Sequence, residues 1–156
     1  MPCHRSEIIH ATALSIGGNG VLICGASGSG KSDLALRCLS VSAGKLLTAP
    51  FELVSDDRTD VSLEDGAVMM TAPSTIAGKL EVRGVGIIDV PYAKKARLCM
   101  VVQLTDREVE RYPELSPAYQ DILGKRFDLL CMRPFEASAP MKLAMALQVR
   151  AGAKEL

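Results

Sequence analysis

Eight consecutive residues carry the strongest chemical signal in the sequence: Gly25-Ala26-Ser27-Gly28-Ser29-Gly30-Lys31-Ser32. They match G-x-x-x-x-G-K-[ST] at every fixed position. Gly25, Gly28 and Gly30 let the backbone turn its N–H groups inward, where side chains would block an anion. A helix starting at the end of such a loop adds its own unpaired N–H groups and its dipole. Lys31 is then placed to reach β- and γ-phosphates, and the Ser32 hydroxyl to ligate Mg²⁺. The chemistry expected is capture of a nucleoside triphosphate such as ATP together with Mg²⁺. A loop of this kind reads phosphates and leaves the choice of base open.

Six further residues are of a type that could act on a bound phosphate. Asp56 and Asp57 end an apolar run, where a carboxylate would face the γ-phosphate and its metal. Adjacent side chains on a strand point in opposite directions, so only one of the pair is expected to reach the reacting atoms. Taken alone, the pair also fits a solvated turn. In Glu81-Val82-Arg83-Gly84-Val85-Gly86-Ile87-Ile88-Asp89-Val90, Glu81 and Arg83 share a parity, so they would pair with each other or jointly face an anionic site. Gly84 and Gly86 permit close approach of a ligand or another backbone. His10, in an apolar stretch, reads by itself as a satisfied core side chain. Arg111, among acidic neighbours, reads as a surface residue that a mobile loop could also deliver to a phosphate.

These residues need a scaffold. The pattern predicts a strand over 7–16, a tight turn at Gly17-Gly18-Asn19-Gly20, and a short strand over 21–24 feeding the glycine-rich loop. A helix is expected from Lys31 to about Ala43, with Leu34, Ala35, Cys38 and Leu39 on its buried face and Gly44 as its stop. Phe51 to Val54 predicts a buried strand, and 59–63 with 67–71 a hairpin about Glu64-Asp65-Gly66. A short helix near 74–79, an interrupted strand over 80–90, and strands over 97–104 and 127–132 follow. The segment 107–125 reads as a loop with one helical turn. A last helix begins at Ser138 and Pro140, with Leu143, Ala144 and Leu147 facing inward. The fold class expected is α/β: a single P-loop domain over 1–156, with a strand-rich mixed sheet and few helices.

Composition narrows the partners. The 18 basic and 18 acidic residues balance, and aromatic residues make up 4% with no Trp. That leaves neither an electrostatic footprint nor a stacking platform for nucleic acid. No apolar run approaches the length of a membrane span, and the N-terminus lacks a secretory pattern. The five cysteines form no C-x-x-C pair, which argues against a zinc site or disulfide framework and for a reducing, cytoplasmic compartment.

The combination of His10, the Gly25–Ser32 loop, Val54-Ser55-Asp56-Asp57 and the run Glu81–Val90 resembles the HPr kinase/phosphorylase family. The last stretch looks like that family's E-[IV]-R-G-[LV]-G-I-I-D-V signature. The resemblance extends from about His10 to Val90 and more loosely beyond. It covers the catalytic domain, as in the short alphaproteobacterial forms that lack the N-terminal domain of longer members. It implies a phosphoenolpyruvate carboxykinase-like P-loop core. The activity implied is Mg²⁺-dependent transfer of phosphate from ATP to a serine of the phosphocarrier protein HPr, with the reverse phosphorolysis in many members. By position it implies a catalytic histidine at His10, the P-loop lysine at Lys31, and Mg²⁺ ligands at Ser32 and Glu81. Asp57 matches the residue that is base in one direction and acid in the other, with Asp56 its neighbour and Arg111 a catalytic arginine. Longer members are hexamers, so a homo-oligomer is expected.

Asp33 stands where many members carry Glu, and the segment from Val90 to Arg97 is shorter. The run from Cys131 to Pro140 lacks the V-x-x-G-R-N pattern tied to the reverse reaction, which argues against phosphorolysis unless Arg133 substitutes in binding phosphate. Two other readings are open to a P-loop chain. One is a regulatory nucleotide-binding module without phosphoryl transfer; the other is a small-metabolite kinase, for which 107–125 would have to serve as a lid.

Overall fold

The structure, a computed structural model, describes residues 5–152. Among these residues the elements run β1 (Ser6–Ile9), β2 (Thr12–Ile16), β3 (Asn19–Cys24), α1 (Lys31–Leu39), β4 (Phe51–Ser55), β5 (Thr59–Glu64) and β6 (Ala67–Thr71). They continue as β7 (Lys79–Val82), β8 (Gly86–Asp89), β9 (Ala96–Leu104), β10 (Tyr119–Ile122), β11 (Lys125–Met132) and α2 (Ala139–Gly152). Nine of the strands form one mixed sheet, and β7 with β8 forms a second, two-stranded one. The fold is a strand-rich, curled α/β structure with two α-helices among the described residues. Among the described residues no helix is long and apolar enough to cross a membrane.

The sheet is organised around β9, whose near-continuous apolar run is buried along most of its length. Such a run marks a strand covered on both faces. It pairs in parallel with β3 on one side. On the other side its start pairs antiparallel with β6, and its end pairs in parallel with β11. Side-chain alternation then makes two cores. One face packs Leu14, Val21, Ile23, Leu53, Met100 and Val102 against Leu34 of α1 and Leu143 and Leu147 of α2. The other packs Ala13, Leu22, Val61, Met70, Val101 and Phe127 strand against strand. The phosphate-loop motif lies between β3 and α1, at the helix-covered face.

Several elements depart from the pattern-based expectation. The strand expected over 7–16 is two strands separated at His10-Ala11. The reason is topological: β1 pairs with β5 at one end of the sheet, whereas β2 lies between β3 and β4 at the other. At this break His10 is exposed, so it is not a core side chain. The turn between β2 and β3 is two residues long, with Gly17 at φ 57° and Gly18 at φ 81°. Two positive φ values are what a type I′ hairpin turn requires. Helix α1 ends at Leu39, where the Ser40 hydroxyl turns back to the Leu36 carbonyl at 2.8 Å. Ser-Val-Ser at 40–42 is poor helix-forming sequence, so the helix stops short of Ala43.

The segment 74–78 forms successive turns instead of a helix, with Ile76 N–H donating to the Pro73 carbonyl and Lys79 N–H to that of Ile76. Residues 80–90 reverse at Arg83-Gly84-Val85 and make the β7–β8 hairpin, because Gly84 adopts φ 83°. Within 107–125 there is a 3₁₀ turn at Pro113–Leu115, as well as β10, which pairs with β11. The periodicity of β10 was hard to see because all but Ile122 of its residues are exposed.

Candidate active site

Strand β3 ends at Cys24 and the chain enters the glycine-rich loop. Gly28 and Gly30 take φ 79° and 104°, in the left-handed region. Gly30 is the N-cap of α1 and offers no side-chain cap. The first-turn N–H groups of α1 are thus left to bind an anion, as a helix N-terminus does. Lys31 is buried, and its ammonium donates to the carbonyls of Gly25 at 2.8 Å and Ala26 at 3.2 Å. The lysine therefore arches over the loop that contains it. The Ser29 hydroxyl, packed against Gly25, is buried without a hydrogen-bond partner. Burial pushes the Cys24 thiol above its usual range, partly offset by the Lys31 charge.

Asp56 and Asp57 lie in a bend just beyond β4 rather than on the strand, and the bend separates their roles. Asp56 is buried, and its carboxylate is fully engaged. One oxygen accepts from the Ser32 hydroxyl at 2.7 Å and from the Thr12 hydroxyl at 3.1 Å. The other accepts from the Glu81 backbone N–H at 3.1 Å. Asp57 has φ 65°, uncommon for a residue with a Cβ. Its backbone N–H donates to the Thr12 hydroxyl at 3.2 Å, and its side chain lines the cleft. Thr12 thus joins the two aspartates. It was legible only as a polar residue in an apolar strand.

The cleft itself measures about 560 Å³. Ser27, Gly28, Gly30, Lys31 and Ser32 form one wall, and Glu81, Val82 and Arg83 of the β7–β8 hairpin form the other. Glu81 and Arg83 form no ion pair with each other in the structure; both line the cleft. His10 and Arg111 are exposed and do not line it. His10 lies two residues before Thr12, and Arg111 precedes the 3₁₀ turn.

The structure adds a residue that the sequence did not single out. Phe135, on the loop between β11 and α2, also lines the cleft. Its ring packs so closely on Gly30 that a Cβ there would sit 2.9 Å from its Cζ. Arg37 of α1 fixes this loop by donating to the Pro134 carbonyl and, at 3.3 Å, to that of Glu136. The Lys142 ammonium beside Glu136 holds its carboxyl below the usual range. Nothing in residues 133–137 read alone locates this contact.

The oxygen donors suit a hard divalent cation. Among the described residues no group of three or more His, Cys, Asp or Glu could cage a metal. Mg²⁺ asks for less: one or two carboxylates and a hydroxyl, with phosphates and water completing the octahedron. The Ser32 hydroxyl held by Asp56, with Asp57 and Glu81 on the same cleft, meets that description.

Comparison with known proteins agrees with this picture. Residues 3–124 match the family model for the HPr Serine kinase C-terminal domain. An HPr kinase/phosphorylase of Cupriavidus metallidurans is 39% identical over 127 residues, covering 74% of this chain and 36% of that protein. The corresponding protein of Leptothrix cholodnii is 35% identical over 128 residues, covering 74% of this chain and 37% of its own. The chain therefore spans little more than a third of the length of these relatives. A solved structure described as the Hpr(Ser) kinase/phosphatase from Coxiella burnetii superposes with a TM-score of 0.76 at 25% identity. That alignment covers 95% of this chain and 99% of the other. With the family model matched over most of its length and its fold shared with that enzyme, the chain belongs to the HPr serine kinase C-terminal domain family.

Proposed function

We propose that residues 1–156 form one P-loop catalytic unit that transfers the γ-phosphate of ATP to a serine hydroxyl of the phosphocarrier protein HPr, with Mg²⁺ as cofactor. The single observation that carries this reading is the position of Asp57. An exposed carboxylate in a left-handed backbone conformation lines the same cleft as Lys31 and Ser32. In this reading Gly25 to Ser32 bind the phosphates, and Lys31 neutralises charge that grows on them during transfer. Ser32 and Glu81 hold the Mg²⁺, which when bound offsets phosphate charge. Asp56 is the support that keeps Ser32 and the Glu81 backbone in place.

Asp57 is the general base. A serine hydroxyl is a weak nucleophile at neutral pH, and a carboxylate in hydrogen-bond reach accepts its proton as attack proceeds. The serine oxygen forms a bond to the γ-phosphorus, the bond to the β-γ bridging oxygen breaks, and ADP leaves with that electron pair. The proton ends on Asp57. In phosphorolysis, inorganic phosphate bonds to the phosphoserine phosphorus, the serine O–P bond breaks, the protonated Asp57 gives its proton to the serine oxygen, and pyrophosphate leaves. His10 and Arg111 lie outside the cleft and take no step in this transfer; the reaction belongs to the cytoplasm, where ATP and HPr meet.

The test is transfer of label from γ-³²P-ATP with Mg²⁺ to purified HPr, by the wild type and by Asp57→Ala. Labelled phosphoserine formed by the wild type and lost in the variant is the expected result. Excess inorganic phosphate added afterwards tests the reverse reaction. Tight ATP binding without transfer by the wild type would overturn the kinase reading in favour of a regulatory nucleotide-binding module.

A further inference from the structure

We propose that Phe135 is a base-binding platform of this cleft, taking the purine of the nucleotide whose phosphates lie on Gly25–Ser32. The inference rests on the nucleotide-binding reading above and deepens it, because a phosphate loop does not by itself contact the nucleoside.

The cleft of about 560 Å³ is in the size range of small-molecule sites and extends beyond the phosphate loop. Besides the loop residues and the charged Asp33, Asp57, Glu81 and Arg83, its lining holds three apolar side chains, Leu36, Val82 and Phe135. Phe135 is 70% exposed, an unusual placement for a large aromatic side chain. It is nonetheless held in place. The Arg37 guanidinium binds the carbonyls on both sides of it, Pro134 and Glu136, and pairs with Asp33 at 3.0 Å. Lys142 fixes Glu136 from α2 at 2.8 Å. The ring rests against Gly30, within the loop that would hold the phosphates.

In a nucleoside triphosphate only the α-phosphate and sugar separate the β-phosphate from the base. A base attached to phosphates bound at Gly30–Ser32 therefore leaves the loop within reach of a ring that flanks it. An aromatic face held open beside that exit gives a base what it needs, a rigid flat surface on which to stack. Gly30 then has two reasons to be glycine: its positive φ, and a ring that occupies the space of a side chain.

The experiment compares binding of Mg-ATP and Mg-tripolyphosphate to the full chain by calorimetry, for wild type, Phe135→Ala, Phe135→Trp and Lys31→Met. Base–aromatic stacking predicts that Phe135→Ala weakens Mg-ATP roughly 5- to 100-fold and leaves tripolyphosphate unchanged. Phe135→Trp should keep ATP affinity. As the sole Trp of the chain, its fluorescence should change with ATP and stay constant with tripolyphosphate. Equal weakening of both ligands by Phe135→Ala would make the ring a prop for Gly30 and overturn the proposal. So would unchanged ATP affinity, including the case in which the KM for the acceptor protein rises, since the ring would then face the acceptor. If Lys31→Met still loses both ligands in those cases, the nucleotide reading survives. Absence of binding by the wild type would overturn that reading and this proposal together.

Discussion

The two walls of the cleft are built on different principles. The phosphate-loop wall is eight consecutive residues, closed by its own backbone turns and by Lys31 reaching back to Gly25 and Ala26. The facing wall is the β7–β8 hairpin, a two-stranded sheet outside the main one. It is joined to the core by Leu80, which is fully buried, and to Asp56 through the Glu81 N–H. Its outer residues Val85 and Ile87 are 73% and 71% exposed. The phosphate-loop wall is a local construction, whereas the facing half of the cleft is assembled from segments far apart in sequence. Asp56 is the hinge between the halves, since its carboxylate holds Ser32 on one side and Glu81 on the other.

Substitutions can separate the two walls. The largest effect should come from Asp57→Asn, which keeps the shape of the side chain and removes the proposed base. Transfer to HPr should fall about 10²- to 10⁴-fold, the usual range for general base catalysis, with Mg-ATP affinity retained. A parallel loss of ATP affinity would show that Asp57 belongs to the nucleotide wall. Next is Leu80→Ala, which removes the buried anchor of the hairpin. Thermal and urea unfolding should show a loss of about 2–5 kcal/mol, the range for buried Leu→Ala changes. A loss well under 1 kcal/mol would mean the hairpin is held mainly by its hydrogen bond to Asp56.

Thr12→Val tests the link between the aspartates. Removing one hydrogen bond to a charged group should cost kcat about tenfold, with KM for ATP little changed, and Thr12→Ser should restore it. Equal activity of Val and Ser variants would make the hydroxyl irrelevant to Asp57.

The smallest effect concerns the helix behind the phosphate loop. Burial pushes the Cys38 thiol of α1 up to about 12. The folded state thus keeps a proton that the unfolded chain releases near pH 9, so stability falls as pH rises from about 9 toward 12. Cys38→Ala should flatten that alkaline decline. In the native protein at pH 8, iodoacetamide should label exposed Cys131 and spare Cys38. Rapid labelling of Cys38 would mean that α1 opens readily.

Much of the nucleotide wall could be read from the sequence because its information is local. The loop motif, the strand before it and the buried face of α1 depend on neighbouring residues, and the structure has them as expected. The hairpin at 59–71 was legible for the same reason, since its turn and alternation lie together. The β7–β8 hairpin was read as one interrupted strand because Gly84 and Gly86 allow both outcomes, and only its tertiary position chooses the reversal. His10 taken by itself fitted a core side chain, because the division of the apolar stretch around it between distant parts of the sheet is not legible locally.

The sequence by itself determined the phosphate-loop motif at Gly25–Ser32 and which carboxylates are available beside it. Backbone conformation near a glycine-rich loop is set by steric freedom over a few residues, and no distant contact is needed to impose it. Tertiary structure decided that Asp56 is buried and Asp57 presented to the cleft, that Thr12 binds both, and that Phe135 lies against Gly30. Those arrangements join residues from 44 to more than 100 positions apart. They exist because the curled sheet brings β2, the end of β4, the hairpin and the loop before α2 to one edge of α1. The distances between those segments are fixed by packing of the two cores, and no single segment encodes them.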